Sequence, residues 1–171
     1  MEIRSVEAIA NALSDHKVQY LVVGGLAVNA HGYERFTADV DLVIGLEPQN
    51  IVRGLQALLS IGYQISVPIT PEQFADSARR QQWREEKNMA VLKLWSEVHR
   101  RTPVDVFVYE PFDFTREYAA AKWEQLSATV KIPFLSYETL MAMKRAAGRP
   151  QDLADISNLE DLRKLREGEH G

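Results

Sequence analysis

Y-L-V-V-G-G-L-A-V-N-A-H-G-Y-E-R-F-T-A-D-V-D-L-V-I, residues Tyr20 to Ile44, is the stretch on which the reading of the whole chain turns. It opens as an apolar strand, Leu21-Val22-Val23, and breaks at Gly24-Gly25. A short apolar segment, Leu26 to His31, reads as a helix that stops at Gly32, and a polar turn follows. A second strand then carries Asp39 and Asp41. Strand side chains alternate between faces, so these carboxylates lie on one face while Val40 points to the other. Two like charges at that spacing repel unless a cation lies between them, and hard divalent cations such as Mg²⁺ favour carboxylate oxygens.

The glycines have a matching use. A Gly pair between strand and helix permits a tight turn and close approach of the backbone to a ligand, with amide N–H groups free to face phosphate. A phosphate binder followed by paired carboxylates on the next strand points to metal-assisted phosphoryl or nucleotidyl transfer. Taken singly, each half is also what a bent strand–helix junction or a solvated acidic strand edge would show.

The pattern Val23-Gly24-Gly25, thirteen intervening residues, then Asp39-Val40-Asp41-Leu42 resembles the signature of the nucleotidyltransferase superfamily that includes DNA polymerase β. Arg35 and Thr37, just before the first Asp, make it more similar to the bacterial abortive-infection and minimal nucleotidyltransferase groups. The family's third carboxylate lies on a later strand between apolar residues, a slot that Val104-Asp105-Val106 fits. Leu140 to Asp155 resembles a second stretch of these bacterial proteins. There Lys144 and Arg149 would reach nucleotide phosphates, with Asp152 and Asp155 holding those cations. The resemblance implies two Mg²⁺ (or Mn²⁺) ions held by Asp39, Asp41 and Asp105, with Asp105 also helping to deprotonate an acceptor hydroxyl. Gly24, Gly25 and Arg35 would bind the phosphates of a nucleoside triphosphate. Many superfamily members have Gly-Ser where this chain has Gly24-Gly25, so Gly25 offers backbone alone. The acceptor stays open among RNA, a protein hydroxyl and a small molecule. A catalytically silent partner of a toxin–antitoxin pair is the alternative from another class.

Composition sets the frame. The 171 residues are 46% apolar and 26% charged, an ordinary balance for one globular domain. A net charge of −4 argues against a surface that coats nucleic acid, though not against a few placed cations at a site. Without cysteine there are neither disulfides nor thiolate metal sites. No run approaches membrane-spanning length and Met1-Glu2-Ile3-Arg4 carries no apolar signal region, so a cytoplasmic protein is expected.

In order along the chain, Ile3 to His16 has a helical apolar stripe, with Ser5 near its cap. Pro48 opens a helix that Gly62 ends. Thr70-Pro71-Glu72 starts another, predicted to run to about Trp83. Arg79, Arg80, Arg84 and Lys87 form the densest basic group; with Glu85 and Glu86 among them they read as a solvated helix face. Asn88 to Trp95 and Val104 to Tyr109 are predicted strands, and Asp105 by itself is also compatible with an edge charge paired to Lys93 or Arg101. His31, with no second histidine at ligand spacing, reads as a helix-end residue. Arg35 suits either a surface charge or a phosphate contact. Phe112 to Trp123 is expected to form a short helix whose aromatics belong to the core or an interface. Thr129 to Phe134 is a last strand with Pro133 at its edge. Two helices follow, from Ser136 to about Ala147 and from Pro150 through Leu165, with residues 167–171 frayed. Lys144 and Arg149 would equally suit an ion-paired helix–turn–helix junction. The expected architecture is α+β: a small mixed sheet with helices on one face in residues 1–135, and a C-terminal helical pair, residues 136–171, packed on that core.

Overall fold

The computed structural model describes all 171 residues. In chain order the elements are α1 (Ile3–Asp15), β1 (Tyr20–Val23), α2 (Gly24–Ala30), β2 (Val40–Ile44), α3 (Pro48–Ser60), β3 (Tyr63–Ile65), α4 (Pro71–Ala75), α5 (Ser77–Lys87), β4 (Val91–Ser96), β5 (Val104–Phe107), α6 (Phe114–Ala119), β6 (Lys122–Gln125), β7 (Lys131–Phe134), α7 (Tyr137–Ala147) and α8 (Pro150–Glu169). The strands form one mixed sheet in the order β3-β4-β5-β2-β1-β7-β6. The β2–β5 and β1–β7 pairs are parallel and the rest antiparallel.

Register explains why the sheet has two unlike faces. Leu92, Val106, Leu42 and Val22 stand opposite one another across β4, β5, β2 and β1, and all four are fully buried. The adjacent row, pointing the other way, is Lys93, Asp105, Asp41 and Val23. One face is therefore hydrocarbon and the other carries charge. Helix α3 lies on the apolar face so closely that a Cβ on Gly54 would sit 3.0 Å from Ile44 Cδ1. Helices α1 and α3 add Ile9, Leu13, Ile51, Leu55 and Leu58 to the core, and α7 and α8 add Leu140, Met141 and Leu159 to the same buried cluster.

Asn50 is a polar side chain inside that core. It accepts from Gln19 N (2.9 Å) and donates to Gln19 O (3.0 Å) and Gly45 O (2.8 Å), tying the start of β1 to the end of β2.

Several local expectations change. The segment after Thr70 is two helices, because the Asp76 side chain accepts from Ala78 N (2.9 Å) and Arg79 N (3.3 Å) and starts a new one. The basic group there is not a solvated face throughout. Arg80 is buried, donates to Phe74 O and lies over the Phe74 ring, while Arg84 stacks 3.7 Å from the Tyr109 ring centre. Ser5 is no cap either: it is buried within α1 and its hydroxyl meets His99 Nδ1 at 2.9 Å. Residues 122–125 form β6 where a helix was expected to end. K-W-E-Q has weak strand propensity, and pairing with β7 overrides it. That outer strand makes β7 internal, so Pro133 sits inside the sheet. Phe114 is core and stacks on Tyr118 (5.6 Å), whereas Trp123 is exposed. Helix α8 runs on to Glu169, its last turns carrying an Arg163–Glu167 pair at 3.2 Å.

Asn50→Ala is expected to cost about 2–3 kcal/mol, since it orphans backbone groups at two strand ends. Urea unfolding with an unchanged m-value would check this.

Candidate active site

Gly24 begins α2 with φ of +67°, a left-handed backbone that disfavours a side chain, and a Cβ there would collide with the Asp41 carboxylate. The turn therefore lies directly on the acidic strand. Val23 and Asp41 are register partners, as are Asp41 and Asp105, so the Gly turn and two carboxylates share one line across three strands. Asp39 stands one residue ahead of β2.

These charges are crowded. Burial, then the charges of Asp105 and Asp39, push the Asp41 carboxyl up to about 7. Burial also raises Asp105, although Lys93 opposes it through contacts of 3.2 and 3.3 Å to the two carboxylate oxygens. Of the two partners expected for Asp105 as an edge charge, Lys93 is the one engaged; Arg101 faces Glu2 instead (3.9 Å). No three acidic or histidine side chains close tightly enough on a common point to enclose a metal ion. The donor chemistry nonetheless suits a hard divalent cation: neighbouring carboxylate oxygens whose mutual repulsion a cation would relieve.

The second half of the site comes from α7 and α8. Lys144 Nζ lies 3.0 Å from Asp152 Oδ1 and 2.9 Å from Asp155 Oδ2. Arg35 Nε and Nη2 donate to the two oxygens of Asp155 at 2.7 and 2.9 Å. Arg149 Nε donates to Asp152 Oδ2 at 2.7 Å, and Gln151 Nε2 to Asp155 Oδ1 at 3.0 Å. Burial alone would raise both aspartates. Arg149 and Lys144 nevertheless hold Asp152 below the usual carboxylate range, as Arg35, Lys144 and Gln151 do for Asp155. Three cations face two carboxylates, leaving one positive charge in excess. Their exposures differ: the Arg149 side chain is 74% exposed, Arg35 17% and Lys144 7%. Arg149 has a free flank, while Lys144 is enclosed by its partners.

Two cavities meet here, and Gly24, Asp39, Asp41, Lys144, Arg149 and Asp152 line both. The smaller, about 360 Å³, is polar, and adds Gly25, Arg35, Thr37 and Gln151. The larger, about 850 Å³, has an apolar wall formed by Phe107, Tyr109, Phe112, Leu140 and Met143, with Asp105 at its floor. All eight residues expected at the site line one cavity or the other. The pairing of Lys144 and Arg149 with acidic residues of α8 was expected from the sequence; the apolar wall, the exposed Phe36 at the polar cavity and the Arg35–Asp155 pair were not. The alternation of Asp105, Phe107 and Tyr109 on one strand face was the available signal for the wall. His31 is structural, as expected: Nε2 donates to Leu135 O (2.7 Å), and burial lowers its pKa.

An acidic pair beside a Gly turn on a mixed sheet is what the resemblance drawn from the sequence led one to expect, and comparison with solved structures bears on the fold that carries it. No family model and no curated protein matches the sequence. Solved structures do share the fold. One is the lincosamide antibiotic adenylyltransferase LnuA with lincomycin bound: TM-score 0.57, 19% identity, covering 92% of this chain and 95% of that one. TM1012 of Thermotoga maritima, described as a nucleotidyltransferase, matches with TM-score 0.57 and 16% identity over 96% of this chain and 92% of its own. An antigenic nucleotidyltransferase-like protein of Paracoccidioides brasiliensis matches with TM-score 0.55 and 18% identity over 94% and 76%. At these identities the likeness is one of fold: the chain has the nucleotidyltransferase fold. No helix is long and apolar enough to cross a membrane.

Asp41 binds its proton more tightly folded than unfolded, so stability falls as pH rises from its unfolded value near 4 towards 7. Asp152 and Asp155 act in the opposite sense and at lower pH. Their stabilisation is complete above the unfolded pKa and lost as pH falls through the lowered folded values. Asp41→Asn is therefore expected to melt several degrees above wild type at pH 8 and near it at pH 4.5, in thermal scans across that range. Lys144→Met, which leaves two buried carboxylates short of a cation, is expected to cost about 3–5 kcal/mol in urea unfolding.

Proposed function

We propose that the protein is a nucleotidyltransferase that moves a nucleoside monophosphate from a nucleoside triphosphate to a hydroxyl of a small molecule and releases pyrophosphate. The observation that carries this reading is the register row: Asp41 and Asp105 side by side, with the Gly24 turn at one end, at the junction of a cationic and an apolar cavity.

In this mechanism the backbone at Gly24 and Gly25 and the guanidinium of Arg149 receive the β- and γ-phosphates, with Arg35 beside them in the polar cavity. Arg149 makes direct contact through its free flank; Arg35 and Lys144 keep the local charge positive and hold their carboxylates off the phosphates. Asp39, Asp41 and Asp105 would hold Mg²⁺ or Mn²⁺, which supplies charge neutralisation and orientation for the reacting phosphate. Displacement at the α-phosphate requires the acceptor opposite the leaving pyrophosphate, on the side where Asp105 lies. Asp105, with its pKa raised by burial, takes the hydroxyl proton from an acceptor seated in the larger cleft.

The cleft favours a small molecule over RNA as acceptor. Its far wall is aromatic and aliphatic, and its two cations, Lys144 and Arg149, sit at the carboxylate end already paired to Asp152. No other cation lines the cleft, and Lys93 and Arg84 beside it are engaged with Asp105 and the Tyr109 ring, so a polyanion gains little countercharge along it. That one structure of this fold is an antibiotic adenylyltransferase with lincomycin bound supports the same choice.

One observation favours a second reading, that of a silent binding partner in a toxin–antitoxin pair: Lys93 already occupies Asp105 as a cation would. The deciding assay offers labelled nucleoside triphosphates with Mg²⁺ to hydroxylated small molecules, RNA and a cell-extract protein pool in parallel. Label on a small molecule that vanishes in Asp41→Asn is expected; label on RNA would move the acceptor class. No transfer to any acceptor, together with one stoichiometric co-purifying protein, would establish the silent module. Arg149→Ala should weaken triphosphate binding about tenfold or more while costing only ~1–2 kcal/mol of stability, because buried Asp152 keeps Lys144 and the residue-149 backbone N–H as partners.

A further inference from the structure

Gly25 lines the polar cavity and offers a ligand there only its backbone. It has an ordinary backbone, so conformation alone would admit a side chain. Space does not. A Cβ built on Gly25 falls 2.5 Å from Thr37 Oγ1, 2.9 Å from Thr37 Cβ and 3.1 Å from Arg35 Nη2. The place that a side chain at position 25 would start from is thus already filled, and the group nearest that point is itself a hydroxyl. Thr37 comes from the loop before β2, half-buried, and lines the polar cavity with Gly24, Gly25, Arg35 and Arg149. Its neighbour Arg35 commits three of its five N–H donors within the protein, two to Asp155 and one to Phe36 O. The Thr37 hydroxyl takes part in no hydrogen bond within the protein, so it is free for a ligand in this cavity.

We propose that Thr37 Oγ1 donates a hydrogen bond to the terminal phosphates of the bound nucleotide, filling from the opposite side of the cavity the place a side chain at position 25 would otherwise take. The assignment deepens the nucleotidyltransferase reading and rests on it. It names the triphosphate subsite as a pairing of two positions, in which the hydroxyl stands on residue 37 because residue 25 must be glycine. Loss of a neutral donor to a charged acceptor of this kind weakens binding by about tenfold or more.

The test is a swap. Thr37→Val keeps the shape and removes the hydroxyl; Thr37→Ser restores it. Calorimetry with ATP, inorganic triphosphate and adenosine should show Thr37→Val weakened about tenfold or more for the two phosphate-bearing probes and unchanged for adenosine. Thr37→Ser should stay within about threefold of wild type. Gly25→Ser alone should melt several degrees lower, from collision with Thr37. Gly25→Ser/Thr37→Gly, which removes the colliding Cβ as well as the hydroxyl, should recover melting temperature and ATP affinity together. If wild type binds ATP and Thr37→Val binds it equally, the Thr37 assignment falls while the nucleotidyltransferase reading stands. Equal weakening for adenosine would show a shape effect and would also overturn it. If wild type binds neither ATP nor inorganic triphosphate, both fall.

Discussion

Everything at the site depends on the register between β2 and β5. Parallel pairing sets Asp41 opposite Asp105 and, one step along, Leu42 opposite Val106. A slip of one residue between them would turn one of the two carboxylates into the apolar face and one core side chain onto the charged face, parting the pair. The apolar row thus enforces the acidic one. Leu92, Val106, Leu42 and Val22 are fully buried, and the free energy of that burial holds Asp41 and Asp105 together despite their repulsion. The functional row is less stable than a neutral one would be, and it persists because the row behind it is hydrocarbon on every strand.

The C-terminal helices solve a different electrostatic problem. Asp152 and Asp155 have almost no solvent access, and buried charge is tolerated only when paired and hydrogen-bonded. Lys144, Arg35, Arg149 and Gln151 supply the partners, drawn from α7, α8 and the loop before β2. Asp155 in particular binds residues from both ends of the chain. The network fixes where the helical pair sits against the core, and fixes its positive side beside the Gly turn. Such a cluster is a poor source of net stability. Its worth lies in placing cations near carboxylates without letting the two collapse onto each other.

How much of this the sequence disclosed follows from the range of each signal. The Gly turn, Asp39 and Asp41 lie within one short stretch where alternation assigns faces directly, and Asp105 sits in a strand legible from its valines. The mixed sheet and the terminal helices were visible for the same reason. Position alone could not separate the roles of Lys144 and Arg149. Lys144 is caged at 7% exposure by partners eight and eleven residues on, whereas Arg149 pairs with Asp152 only three residues away and keeps a free flank, a difference that packing of the two helices decides. Strand β6 was missed because K-W-E-Q has no local reason to extend without β7 beside it. Arg80 was misjudged because it stands in a charged run, yet its guanidinium covers Phe74 and the end of α4. Local patterning found the groups that the fold gathers around the two cavities; long-range packing decided which of them are free to meet a ligand.

That division also bears on Asp105. Lys93 is its cross-strand partner and holds both its oxygens, yet the lysine side chain is 66% exposed. An ion pair this open is worth little, since water and salt screen it and a long side chain loses freedom to make it. Lys144 is the opposite case, enclosed by two buried carboxylates it cannot leave without stranding them. On the proposed reading, the two lysines near the carboxylates differ in kind. Lys93 neutralises Asp105 in a way that a stronger cation readily displaces. Lys144 is a fixed charge that tempers Asp41 without competing for it. Asp41, pushed up to about 7 by burial and by Asp105 and Asp39, is the carboxylate whose crowding a cation would relieve most, and Asp39, Asp41 and Asp105 would hold a divalent ion there with Lys93 displaced to solvent. The acidic row is therefore asymmetric before any ligand arrives, and that asymmetry runs from the phosphate turn towards the apolar wall.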